Sequence, residues 1–269
     1  MDITIKTRRA GNRGTFYPAD CNDVERFIKL FSDKIDTIAN PQYLTVKPRA
    51  IIAPHAGYVY SGFTANAAHK ALSNAKPKRI VVIGPGHHVY IEQISAAFTK
   101  DYETPCGNIE TDIEYLNELN DRFHFIFSGN THYREHSTET QMPFIKHYNP
   151  QAKIVELVYG NTNWREVAAI VQYVLSDKSN AVVISTDLSH FYPLREAEVL
   201  DAICLNAIKH ADIELLQQGC EACGITGVKA IINTANRLGL KTAVLDYRTS
   251  AEVSGDRNSV VGYASAVIW

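Results

Sequence analysis

The chain has 269 residues, 45% of them hydrophobic and 21% charged, with a formal net charge of −2. That is enough chain to bury a full core in a single domain, and the near-neutral balance gives no electrostatic basis for a nucleic-acid or membrane-surface partner. No apolar run approaches the ~18 residues of a spanning helix, and the opening "MDITIKTRRAGNRGTFYP" lacks the apolar stretch of a secretory signal.

In chain order, "KTRR" (Lys6 to Arg9) is the nearest thing to a basic patch and reads as a solvated N-terminal arm. "RAIIA" (Arg49 to Ala53) is strand-like and precedes "SGFTANAAHKALSNA", whose Ala and Leu spacing predicts a helix capped by Ser61. "RIVVIG" (Arg79 to Gly84) is the continuous apolar run of a strand covered on both faces. "KIVELVYG" leads into the amphipathic "TNWREVAAIVQYVLSD", and "NAVVISTD" leads into "LREAEVLDAICLNAIKH". "GVKAIINTANRLGL" predicts a helix that stops at Gly239, ahead of the strand-like "KTAVLDYRTS" and "VVGYASAVIW". This alternation predicts an α/β fold: a mainly parallel or mixed central sheet flanked by helices, one domain over residues 1–269.

In such sheets functional groups gather beyond the carboxyl ends of the strands. "RAIIA" delivers His55, "RIVVIG" delivers the doublet His87–His88 in "GPGHHVY", and "NAVVISTD" delivers Asp187 and His190. Three strand ends carrying histidine predict one site assembled from distant parts of the chain. In "STDLSHF" the spacing lets Asp187 orient the His190 imidazole or cap the helix that follows. In "REHSTETQMPF", His136 beside Glu135 reads as an outer pair around the site, on a helix start capped by Ser137 or Thr138.

Five scattered cysteines, an odd number, argue against a disulfide framework and for a reducing, cytoplasmic setting. Cys220 and Cys223 form a C-x-x-C, but there is no second such pair to complete a structural zinc site. Cys223, flanked by Gly224 at the mouth of the next helix, is the better placed of the two, because a helix N-terminus favours thiolate. Two strand-end histidines and a thiolate make an open three-donor site, soft enough for copper or zinc without excluding iron.

Taken in order, "APHAGYVYSG", "GPGHHV", "EHSTE", "STDLSH" and "CGITGV", with the opening "AGNRGTFYPAD", resemble the Memo family, known in bacteria and archaea as the AmmeMemoRadiSam system protein B. The matches run over essentially the whole chain. The resemblance implies the fold of the class III extradiol dioxygenases, whose iron sits between two histidines and a carboxylate. It places the metal donors on His55, His87 and Cys223, for iron or copper, with zinc as a third choice. It puts His190 where the ring-cleaving enzymes keep a proton-transferring histidine, and Asp187 and His136 among the pocket-lining motifs. It also implies a functional link to AMMECR-type and radical-SAM proteins. Cys220 is an extra thiol that would compete for metal or pair with Cys223. The expected function is that of a metal-dependent oxidoreductase acting on a small molecule. The alternative is a module that binds a peptide through the same pocket, approached by Tyr58, Tyr60 and Tyr90.

Overall fold

The computed structural model describes residues 6–38 and 41–269. Its strands are β1 (Thr7–Arg8), β2 (Ala50–Ala53), β3 (Arg79–Pro85), β4 (Ile94–Ala96), β5 (Asp101–Tyr102) and β6 (Ile109–Glu110). They continue as β7 (Lys153–Tyr159), β8 (Asn180–Ser185), β9 (His190–Tyr192), β10 (Thr242–Thr249) and β11 (Val260–Ile268). The helices are α1 (Cys21–Ile38), α2 (Pro41–Leu44), α3 (Tyr58–Leu72), α4 (Ile113–Phe123), α5 (Gly129–Tyr133) and α6 (His136–Glu139). After these come α7 (Met142–Tyr148), α8 (Trp164–Val174), α9 (Leu194–His210), α10 (Ile225–Leu238) and α11 (Ala251–Ser254).

The main sheet has the order β10-β11-β2-β8-β3-β7-β4, with β9 pairing β11 to one side. Its centre, β2-β8-β3-β7, is parallel, and β4, β10 and β11 make it mixed by running antiparallel to their neighbours. The four central strands are the four apolar runs that the sequence marks out, and they need to be apolar on both faces because helices cover both. Ile52, Ile83, Leu157 and Ile184 point to the face under α8 and α10, while Ile51, Val82, Ile154 and Val183 point to the face under α3 and α7. The α/β architecture, with a mixed sheet between helices, is the one expected.

Helix boundaries follow local chemistry. Asn163 caps α8 by accepting from the Arg165 amide, and α10 ends where Gly239 takes a left-handed φ of 66°. Helix α3, by contrast, begins three residues before Ser61: Gly57 precedes it, and the first amide, of Tyr58, donates to the Phe16 carbonyl. Ser61 lies inside the helix and donates to the Ala56 carbonyl. A backbone partner from the N-terminal segment thus replaces the side-chain cap. Tyr58 is buried, stacked on Phe144 and bonded to the Thr140 carbonyl, so it belongs to the core and not to a cleft approach.

The N-terminal arm is solvated only at Lys6 and Arg9; Arg8 turns inward. Arg8 is 4% exposed in β1, which pairs with β5 in a separate three-stranded sheet with β6. Its guanidinium reaches Glu139 at 2.5 Å and lies 3.9 Å from Glu156, both buried. The basic run looked solvated because those carboxylates are 131 and 148 residues away in sequence.

The cysteine expectation is also corrected. Cys21 pairs with Cys106 and Cys204 with Cys220, leaving Cys223 as the free thiol. The partners are 85 and 16 residues apart, a pairing that only the tertiary fold reveals. Cys220 is therefore tied to α9 and does not compete for Cys223, and the cysteine count no longer argues for a reducing compartment. Among the described residues no helix is long and apolar enough to cross a membrane.

One buried histidine makes a testable contribution to stability. His69 in α3 is wholly buried, its Nε2 is 2.8 Å from Gln141 Oε1, and its Nδ1 has no partner. Burial pushes its pKa down to about 4, against a smaller upward pull from the Gln141 hydrogen bond. A depressed histidine pKa means the unfolded chain binds the proton more readily. The contribution is complete above the unfolded value of 6.5 and is lost as pH falls toward 4. Between neutrality and about pH 5, His69 should cost roughly 1–2 kcal/mol. Urea-unfolding midpoints against pH should fall less steeply in His69→Gln than in the wild type.

Candidate metal centre

The site lies beyond the carboxyl ends of β2, β3 and β8. At Pro54 the chain leaves β2 and presents His55, which is 1% exposed. Its backbone amide donates to Asp187 Oδ1 at 2.7 Å, tying the end of β2 to the end of β8. Its Nδ1 is 2.9 Å from Ser185 Oγ. That hydroxyl already donates to the Ser137 carbonyl and accepts from Gln141 Nε2, so it can only accept from the ring. His55 is thereby fixed as the Nδ1–H tautomer, with the Nε2 lone pair turned toward the site.

His87 follows β3 after Pro85 and Gly86. Its backbone amide donates to Glu135 Oε2 at 2.6 Å and its Nδ1–H to Glu135 Oε1 at 2.9 Å, again leaving Nε2 bare. Burial alone would raise the Glu135 carboxyl, but the hydrogen bonds and charge of His87 outweigh it and hold the pKa down at about 2. Two imidazoles, each bonded through Nδ1 to an oxygen behind it, carry the outer support that metal-binding histidines have in general.

Glu135 also accepts from the Ser137 amide and so is itself the cap of α6, in place of Ser137 or Thr138. It serves His87 more than His136, whose Nδ1 is 3.6 Å from Glu135 Oε1 and has no hydrogen-bond partner although buried. His136 stacks on His87, with centroids 4.6 Å apart, and on Phe16 from the N-terminal segment at 4.5 Å. The ring nitrogens of His55, His87 and His136 come within 4.8 Å of one another. Burial, then the neighbouring His87, push the pKa of His136 down to about 4, and the same two causes depress His55 well below the ordinary value. His55 and His136 are thereby kept neutral at neutral pH, the form in which an imidazole nitrogen can donate to a metal. The second histidine of the doublet, His88, is exposed, with its ring 5.6 Å from that of His136.

Cys223 comes from the opposite side, just before α10. Its Sγ is 3.3 Å from His55 Nε2 and accepts from the Asp187 amide at 3.3 Å. Gly224 is needed here, because a Cβ at that position would lie 2.6 Å from Thr186 Cβ and 2.8 Å from the Ser185 carbonyl oxygen. The helix start can thus press against β8 and bring the thiol over His55. The helix end does not by itself make Cys223 a thiolate. Burial, then the charge of Asp187, push its pKa up to about 12 against the hydrogen bonds that lower it. A thiolate at this position calls for a cation beside it.

Asp187 is placed differently from the expectation. Its carboxylate addresses His55 through the backbone amide, with Oδ2 3.9 Å from Nε2. Helix α9 starts at Leu194 behind Pro193, so Asp187 does not cap it. Burial pushes its pKa up to about 7, opposed by the His55 amide hydrogen bond. His190 is half-buried at the start of β9, paired to Val261, with a pKa lowered first by burial. The next residue, Phe191, holds a left-handed φ of 66° and is 73% exposed; Tyr60 and Tyr90 are exposed as well. A non-glycine residue held there is strained backbone beside a site.

Two groups that sequence reasoning missed complete the frame. Gln141 donates to the Pro54 carbonyl and to Ser185, accepts from His69, and so ties α7 to the His55 turn. Glu139 closes the far end of α6 by holding the N-terminal arm. "EHSTETQ" contains Glu135, Glu139 and Gln141, and its density of polar residues in a segment that turns out buried was the available signal.

Comparison with known proteins agrees with the motif order. The model of the Memo-like protein family matches residues 8–267. A MEMO1 family protein of Methanobrevibacter smithii is 31% identical, over 97% of this chain and 99% of its own length. One from Aquifex aeolicus is 30% identical, over 98% and 99%. With nearly the whole chain matched on both measures, this protein belongs to the Memo-like family.

Proposed function

We propose that the protein binds a redox metal, iron or copper, with zinc as the non-redox alternative, through His55, His87 and Cys223, and uses it on a small oxygen-bearing substrate or dioxygen. The observation that carries this reading is the pair of bare Nε2 atoms on His55 and His87, each backed by an acceptor at Nδ1, with a thiol 3.3 Å from one of them. A cation there would stabilise the Cys223 thiolate that burial otherwise disfavours. His136, with its orphaned Nδ1, lines the same space and is the rival third donor. Bound metal would supply Lewis-acid or electron-transfer chemistry.

The protein's own groups would supply the rest. Asp187, with its pKa near 7, can hold or release a proton at neutral pH, and the half-buried His190, its pKa lowered first by burial, would act as a neutral base. His55, kept neutral, would remain a donor over the whole physiological range. The test is metal content per chain after anaerobic expression, for the wild type and for His55→Ala, His87→Ala, Cys223→Ala and His136→Ala. The first three should lose metal and His136→Ala should retain it. Stoichiometric metal surviving in both His55→Ala and His87→Ala would end the assignment.

Exposed aromatics that follow the site segments in sequence, Tyr60, Tyr90 and Phe191, favour a second reading, in which the pocket binds a peptide without turnover. Metal-dependent oxygen uptake with a panel of catechols supports the first reading. Peptide binding that is indifferent to chelator supports the second. The functional link to AMMECR-type and radical-SAM proteins stays with the family resemblance.

A further inference from the structure

We propose that Cys21, Glu25 and Cys106 form a second, redox-gated site for a borderline-soft divalent cation such as zinc, built from none of the residues of the histidine cluster. The donor atoms of these three residues lie within 4.8 Å of one another. Cys21 and Glu25 sit one turn apart on α1, at i and i+4, so both side chains project from the same face. Cys106 reaches them from the loop between β5 and β6. There its amide is held by Thr104 Oγ1, and Gly107 turns the chain with a φ of 104°. Glu25 Oε1 is 3.9 Å from the Cys106 sulfur. The other oxygen, Oε2, is 2.7 Å from His147 Nδ1 on α7. A carboxylate that faces a sulfur pair with one oxygen and is anchored by an imidazole through the other is arranged like a metal ligand with its outer support.

The two sulfurs are joined here as a disulfide. The second disulfide gives the contrast: Cys204 is buried in an apolar cluster with Leu188, Ala222 and Ala264, and no metal-binding group among the described residues includes it. Among the described residues, the Cys21 pair is the disulfide that falls in such a group with a carboxylate. Both of its cysteines are half-buried and Glu25 is 42% exposed, so reductant and cation have a path in.

Opening the site requires a dithiol reductant. Two electrons and two protons pass to the protein disulfide, giving two thiols, while the reductant becomes its own disulfide. Binding of the cation then displaces the two thiol protons and leaves a bis-thiolate site with the Glu25 carboxylate as third donor and a net charge of −1. Cys21, in the first turn of an 18-residue helix, is the thiol predisposed to ionise. In this arrangement oxidation ejects the metal and reduction readmits it.

The test uses the full chain carrying Cys223→Ser, which removes the thiolate of the histidine site, reduced anaerobically with a dithiol, desalted and titrated with Co²⁺. The expected result is a thiolate-to-cobalt charge-transfer band with the intense visible bands of a tetrahedral ion. Both should be absent from the air-oxidised protein and abolished by Cys106→Ser. Glu25→Gln keeps both thiols and the helix, and should weaken cobalt binding at least ~10-fold. No band on reduction, equal bands in reduced and oxidised protein, or a band of full strength in Cys106→Ser would overturn the proposal. Unchanged affinity in Glu25→Gln would overturn it too, even if Cys106→Ser does not fold.

Discussion

Replacing Glu139 with alanine is expected to lower the unfolding free energy by about 3–5 kcal/mol. Its carboxylate is fully buried and accepts from Arg8 Nη1, the backbone amides of Gly11 and Asn12, Asn12 Nδ2 and the Tyr17 hydroxyl. Five donors converge on one carboxylate, and truncation would take a partner from all of them at once, leaving Arg8 Nη1 only the Arg9 carbonyl and Asn12 Nδ2 only the Arg134 carbonyl. The Arg8 guanidinium would suffer most, because it is 4% exposed and its nearest remaining carboxylate, Glu156, is 3.9 Å away. A buried cation that loses its partner costs far more than the pair contributes over an apolar substitute. Glu139→Gln should fall between, since the amide keeps the shape but turns one donor toward donors. Urea denaturation at neutral pH measures both, and a loss under about 1 kcal/mol for the alanine variant would show that the arm is held by something else.

Glu135→Gln should leave the fold standing and weaken metal binding about 10–100-fold. Oε1 accepts from the His87 ring and the Ser137 amide, and Oε2 from the His87 amide. An amide can present oxygen to one side only, so an NH₂ group would face a donor on the other and the His87 ring would lose its fixed tautomer. Removing the negative charge also removes the group that makes His87 a better electron donor. Competition against a chromophoric chelator gives the ratio directly. Affinity within about twofold of the wild type would mean that the loop, and not the carboxylate, orients His87.

The fold was legible because its central strands had to be apolar on both faces, and runs such as "RIVVIG" and "NAVVIS" have few other uses. The strand ends then exposed His55, His87 and Asp187 by position alone. What stayed hidden were the ion pairs, disulfides and supporting hydrogen bonds made across long sequence separation. Arg8 looked like a solvated charge because its carboxylates come from α6 and β7, and Cys21 looked like a lone thiol because Cys106 follows 85 residues later. Asp187 was read against its near neighbour His190, whereas its oxygen serves His55, 132 residues away. Cys223 was expected to ionise from helix position, but burial at this depth outweighs a helix end. Local chemistry was readable where neighbouring residues alone decide it, as at the Gly239 stop of α10.

The stacking of Phe16 on His136, together with the thiol of Cys223 against His55, has a bearing on biosynthesis. Phe16 and Cys223 wall the same pocket from positions 207 residues apart in the chain. A growing polypeptide therefore carries His55, His87 and His136 before it carries the last sulfur, and the cavity can close only once residue 223 has been made.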